Sequence, residues 1–179
     1  MLITQTLVVA APAATVWRVL TDLDRYPEWN PFVVACRSTL EPGAPIAMRV
    51  RVLPFVAQPQ RETIFEHAPG RRLRYGIPPL PLGALASDRS HVVEPVGDAR
   101  SRYVSRFELC GWLAPVVAAF LGGRLERGFA AMSAAIKARA EALHADAARI
   151  HHPPDASLPP VGPSNLPTAI RRAPNGGRR

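Results

Sequence analysis

The hydrophobic pattern changes period once, near residue 112, and that change limits the fold more than any single motif does. Before it, apolar residues recur at every second position in short runs. IAMRVRVL (46–53) places Ile46, Met48, Val50 and Val52 on one face and Ala47, Arg49 and Arg51 on the other. RRLRYGI (71–77) sets Leu73, Tyr75 and Ile77 against Arg72 and Arg74. After it, Val116, Val117, Phe120, Leu121, Leu125, Phe129, Met132, Ile136 and Leu143 recur every three or four residues, which is helical spacing. Clean alternation means one buried and one wet face, the habit of antiparallel strands. A lone antiparallel sheet must cover its apolar face, and only the last helix, Trp112 to about Ala147, is long enough to do so.

The remaining segments fill in an α+β layout. LITQTLVV (2–9) has strand composition, and Pro12 then stands where a first helical turn tolerates it. Val16, Trp17, Val19, Leu20 and Leu23 form the apolar stripe of a short helix. Further strands are expected at 32–40, 60–67, 88–95 and 101–109, separated by the turns EPGAP, APGR and VGDAR. Gly122 and Gly123 weaken the long helix by roughly 1 kcal/mol each relative to alanine, and a kink is expected there. The fold domain is placed at 1–147. Residues 148–179, rich in Pro and Arg, cannot bury a core and are expected to form a disordered tail.

Composition excludes some function classes. The formal net charge is +8, yet the arginines are scattered and no base-reading motif is present, which argues against specific nucleic-acid binding. No apolar stretch is long enough to span a bilayer, and the N-terminus lacks the basic start of a secretory signal. Cytoplasmic location is expected, with peripheral membrane contact left open. Cys36 and Cys110 lack metal-ligand spacing and are expected to be buried thiols. No metal site and no cofactor are expected: there is no glycine-rich phosphate loop and no dinucleotide fingerprint.

DRYPEWNPFV (24–33) crowds Tyr26, Trp29 and Phe32 between two prolines, although large rings contribute nothing to turn geometry. This stretch, with APAATVWRVLTDL before it and APGRRLRY, HVVEPVG, FELCGWLAPVV and RGFAAMSAAIKARAE after it, resembles the SRPBCC superfamily. That superfamily has the START-like or helix-grip fold, a curved antiparallel β-sheet wrapped around a long C-terminal helix. Polyketide cyclases, aromatases and lipid-transfer proteins belong to it. The resemblance covers about residues 2–145 and implies a ligand cavity between sheet and helix. It also implies that the three aromatics plug one end of the sheet, with Asn30 turning the chain into the next strand.

A cavity acts through its inward residues. In SRYVSRFEL the face carrying Tyr103, Phe107 and Leu109 also carries Ser101 and Ser105. By comparison with the family Val93 faces inward, and strand parity then places His91 and Arg89 inward too. The ligand-binding set expected is Trp29, Met48, Val50, Tyr75, Tyr103, Ser105, Phe107, Phe120 and Phe129. Two functions follow. The first is binding of a hydrophobic or aromatic small molecule, lipid or polyketide-like. The second is a polyketide cyclase/dehydrase with His91 as acid–base group and Arg89 as oxyanion holder. His67 and Glu66, near a turn, are expected to be solvated. The uncharged loop PPLPLGALA (78–86) is a lid, a membrane or protein contact, or a loop folded onto its own core.

Overall fold

A computed structural model describes residues 1–53 and 55–151. Seven strands form one sheet: β1 (Leu2–Val9), β2 (Val33–Arg37), β3 (Pro45–Leu53), β4 (Val56–Ala68), β5 (Arg72–Gly76), β6 (Ala86–Gly97) and β7 (Arg100–Cys110). Their order is β1-β7-β6-β5-β4-β3-β2, and every pairing is antiparallel. Consecutive strands are neighbours except at one point: β1 crosses to pair with β7, Leu2 opposite Glu108 through Val9 opposite Ser101. The excursion between β1 and β2 holds α1 (Ala13–Thr21), a 3-10 turn (Leu23–Arg25) and α2 (Tyr26–Trp29). The sheet curls into a half-barrel around α3 (Ala114–His151). This is the helix-grip fold. Among the described residues no helix is long and apolar enough to cross a membrane.

Alternation decides the faces. On β7, Ser101, Tyr103, Ser105, Phe107 and Leu109 are buried, while Arg102, Arg106 and Glu108 are exposed. The outer face is a charged ladder: Arg102 holds Glu94 at 2.6 Å, Arg106 holds Glu108 at 2.8 Å, and Arg74 pairs with Asp88. Helix α3 lays Phe129, Met132, Ile136 and Ala140 into the concave face. Lys137 ties it to β1, donating to the Val8 carbonyl at 2.7 Å, and Glu141 accepts from the Ala10 amide at 2.8 Å.

The aromatic corner is built residue by residue. Tyr26 donates its hydroxyl to the Leu20 carbonyl at 2.7 Å and closes the end of α1. Asn30 accepts from the amides of Phe32 and Val33 at 3.0 and 2.9 Å, so it turns the chain into β2. Phe32 packs edge-on to Phe129, with centroids 5.1 Å apart. A Cβ on Gly128 would fall 2.2 Å from the Phe32 ring, so α3 approaches this corner only because residue 128 has no side chain.

Several expectations need correction. Strand β4 begins at Val56, not 60, and carries Pro59 opposite Arg49; proline's fixed φ is compatible with an extended chain. Helix α3 continues through Gly122 and Gly123 and ends at His151, so residues 148–151 are helical; the rest of the expected tail, from residue 152, lies outside the described residues. Cys36 is buried, but Cys110 is exposed at the end of β7. His67 is half-buried and stacks on Trp17, with centroids 5.8 Å apart, so it is a packing residue.

Candidate functional site

Sheet and helix do not close completely on each other. They leave a cavity of about 320 Å³. Met48, Val50 and Val52 of β3, Phe107 and Leu109 of β7, and Tyr75 of β5 form its sheet side. Val117, Leu121, Leu125, Phe129 and Met132 form its helix side, recurring at i+4 or i+3 along α3. Phe129 is the hub: it touches Phe32 at 5.1 Å and Phe107 at 4.8 Å between centroids.

Few polar side chains line this cavity: Gln58, Gln60, Glu62, Ser87 and Arg89, with the Tyr75 hydroxyl behind its ring. Arg89 is only 3% exposed. Its guanidinium carbon lies 3.7 Å above the centre of the Phe129 ring, a cation–π contact. Its Nη2 approaches the Met132 sulfur at 3.9 Å, and its Nε has no hydrogen-bond partner. Glu62 is also buried. Burial pushes its carboxyl up to about 7, and the Arg89 guanidinium pulls against that rise.

A second polar group lies deeper. His91 is fully buried. Its Nδ1 meets the Tyr103 hydroxyl at 2.7 Å and its Nε2 meets the Tyr75 hydroxyl at 3.2 Å. The ring stacks between the two tyrosines, at 5.7 and 6.0 Å from their centroids. Burial, then the nearby Arg89 charge, holds its pKa well below the ordinary histidine value. The imidazole is therefore neutral, donating to one hydroxyl and accepting from the other. Burial likewise raises both tyrosine pKa values.

A family model described as "Polyketide cyclase / dehydrase and lipid transport" matches residues 2–141. The chain belongs to that family. No curated protein matches the sequence. Among solved structures, the Zhui aromatase/cyclase from a Streptomyces species is similar at 20% identity and a TM-score of 0.60, over 79% of this chain and 93% of that one. A START superfamily protein from Mycobacterium smegmatis is similar at 18% identity and a TM-score of 0.60, over 79% and 98%. The di-domain ARO/CYC BexL gives 18% identity and a TM-score of 0.62 over 79% of this chain, which spans only 46% of that longer protein. Likeness at this level of identity is likeness of fold.

In this polyketide cyclase/dehydrase and lipid transport family member, Met48, Val50, Tyr75, Arg89, Phe107 and Phe129 line the cavity. Tyr103 and Ser105 share that face but are buried beyond it, and His91 reaches the cavity only through the Tyr75 hydroxyl. Two more of the expected ligand contacts, Trp29 and Phe120, also lie off the lining. Trp29 packs on Tyr26 at 4.9 Å and faces surface grooves on the far side of the corner. Phe120 is 76% exposed: it sits one residue before Leu121, which is about 100° around the helix from the inward line.

Sequence reading missed Glu62. Its signal was present, since Ile64 is buried on β4 and strand parity puts Glu62 and Gln60 on the same face. It also missed that Phe55 and Val116 are exposed apolar residues adjacent in sequence to the lining, as are Leu82 in the 78–86 loop and Phe120 beside Leu121. The 78–86 loop does two things at once. Leu85 turns into the cavity and Leu82 faces out, while the Ala84 carbonyl accepts from the Leu113 amide at 3.0 Å and fixes the loop to the start of α3.

Proposed function

We propose that this chain binds a hydrophobic small molecule, lipid or polyketide-like, in the cavity between the sheet and α3. The observation that carries this reading is the cavity itself, about 320 Å³ with a wall that is apolar except for a few side chains. Its size falls at the lower end of small-molecule sites, roughly 300–1,000 Å³. Burial of the ligand's apolar surface supplies affinity at about 25 cal/mol per Å² before binding costs. The exposed Phe55, Leu82 and Phe120 near the lining support entry from an apolar source such as a bilayer surface.

The decisive experiment is native mass spectrometry of the protein purified gently from its own host. A co-purifying apolar molecule is the expected result. A clean apo mass, together with failure to bind a neutral fluorophore such as N-phenyl-1-naphthylamine, would refute the reading. Peripheral membrane contact is tested separately by flotation with phosphatidylcholine vesicles, which Leu82→Ser should weaken. Flotation unchanged by that variant would remove the loop from this role.

The lining pair Glu62 and Arg89 favours a second reading, ring closure and dehydration of a poly-β-ketone. A Glu62 carboxylate takes the proton from a carbon between two carbonyls, and Arg89 holds the enolate oxygen. The enolate carbon attacks a second carbonyl and the new alkoxide takes a proton back from Glu62. The Glu62 carboxylate then removes the remaining proton from that carbon and passes it to the departing hydroxyl, which leaves as water as the C=C bond forms. His91, screened by Tyr75, does not touch the reacting atoms in this scheme. A bound mass matching a cyclised, dehydrated product would put this reading first. A poly-β-ketone mimic recovered unchanged would exclude it.

A further inference from the structure

Arg89 is unlike the arginines of the outer face. Arg74, Arg102 and Arg106 each have a carboxylate partner. Arg89 is buried, and no carboxylate among the described residues lies within 4.0 Å of it. Guanidinium groups keep their charge in proteins, and a buried charge is costly unless paired. What surrounds this one is the Phe129 ring face, the Met132 thioether and an unpartnered Nε, all at the cavity wall.

A cavity that is apolar nearly throughout and ends on an unpaired guanidinium fits a molecule of matching polarity. The planar fork of arginine suits a carboxylate in two-point geometry. Resting on the binding function proposed above, we propose that the ligand is an amphiphilic carboxylate, its carboxylate seated on Arg89 and its apolar body lying between β3 and α3. Met48, Val50 and Phe107 flank the body on the sheet side, and Leu125 and Leu121 lead it toward the exposed apolar residues. Glu62 assists without competing. Burial raises its carboxyl to about 7, so near neutral pH it spends much of its time as an acid that can donate its O–H to the incoming carboxylate.

The test compares two competitors that differ only in charge. N-phenyl-1-naphthylamine, which is neutral, reports occupation of the cavity in the full chain. Dodecanoate and dodecanamide then displace it. Dodecanoate should act at about tenfold lower concentration or better, the scale of a hydrogen bond to a charged group. Arg89→Met should level the two competitors, each compared with that variant's own affinity for the fluorophore, and Arg89→Lys should keep a weaker preference. Should Arg89→Met not fold, Arg89→Gln serves the same comparison. Equal displacement in the wild type, with the fluorophore bound, overturns the carboxylate inference and leaves the binding function standing. A preference that survives loss of Arg89 also overturns it, because the carboxylate then sits elsewhere. If neither the fluorophore nor either competitor binds by calorimetry, the binding function fails and this inference falls with it.

Discussion

Arg89 and His91 stand two residues apart on β6, on the same face, and they are built in opposite ways. His91 is fully buried with both ring nitrogens engaged by tyrosine hydroxyls. Arg89 is nearly as buried, yet its Nε has no partner and its head opens onto the cavity. The polar group whose partners all come from its own chain is part of the wall. Arg89 is the incomplete one of this pair, and it is the one that lines the cavity. Burial and strand parity are common to both, so what distinguishes them is that an unpartnered charge faces a void, where the proposed ligand would complete it.

The sharpest way to break that contrast is His91→Phe. The ring fills the same space but leaves the Tyr75 and Tyr103 hydroxyls without their partner in a buried site. Losing the imidazole partner of both buried hydroxyls should cost about 3–4 kcal/mol of stability in urea unfolding, while affinity for N-phenyl-1-naphthylamine stays within about twofold. Lost binding with unchanged stability would make His91 the functional residue and reverse the comparison.

Glu62 gives a pH signature of comparable but smaller size. Its carboxyl rises from an ordinary 4.5 to about 7 in the folded chain, mainly through burial. Between these values the folded state holds a proton that the unfolded state has released. Stability from this group is therefore fully present below the unfolded pKa and is lost as pH rises through about 7. The loss is at most about 3 kcal/mol, at 1.36 kcal/mol per pKa unit. The groups facing Glu62 are Arg89 on β6, Tyr75 on β5 and Cys36 on β2. Burial lifts the Tyr75 pKa and pushes the Cys36 thiol up to about 12, so neither titrates in that window. Buried His91, whose pKa is lowered, makes both proteins gain stability as pH rises towards 6.5, so the Glu62 loss should appear as the difference between the wild-type and Glu62→Gln unfolding curves across the window. Parallel curves would mean that Glu62 is solvated and not part of the wall.

Arg89→Met should do the reverse of His91→Phe. Removing an unpaired buried cation is expected to raise stability by about 1–2 kcal/mol and to abolish the preference for a carboxylate. A destabilisation of that size would show that Arg89 has a structural partner and is as complete as His91.

How much of this could be read beforehand follows from what periodicity encodes. Period-two alternation gave the faces of β3, β5 and β7, and so the burial of Met48, Val50, Tyr75 and Phe107. It could not say which inward residues meet a void and which meet each other. Tyr103 and Ser105 share the parity of Phe107 but lie beyond the cavity. That distinction depends on the curl of the sheet and the height of α3 above it, which no local pattern carries. Gly128 was equally silent: one missing Cβ lets α3 settle on Phe32, whereas Gly122 and Gly123 drew attention and lie within an unbroken helix. Glu62 was legible and overlooked, because a carboxylate between Arg61 and Thr63 looks like ordinary surface charge until its parity with Ile64 is counted.

The smallest effect is expected where helical spacing misled. Phe120 and Leu121 are adjacent in sequence, but only Leu121 lines the cavity. Phe120→Ser should change stability by less than about 0.5 kcal/mol, the usual range for an exposed site, and leave N-phenyl-1-naphthylamine affinity intact. Leu121→Ser places a hydroxyl on the apolar wall and should weaken the fluorophore several-fold. If the two variants behave alike, the fluorophore reaches out over the rim, and the boundary between the cavity and its apolar surroundings must be drawn further from Arg89. If only Leu121 matters, the cavity ends where the helix turns its Phe120 face to water. The ligand is then held between that edge and the guanidinium.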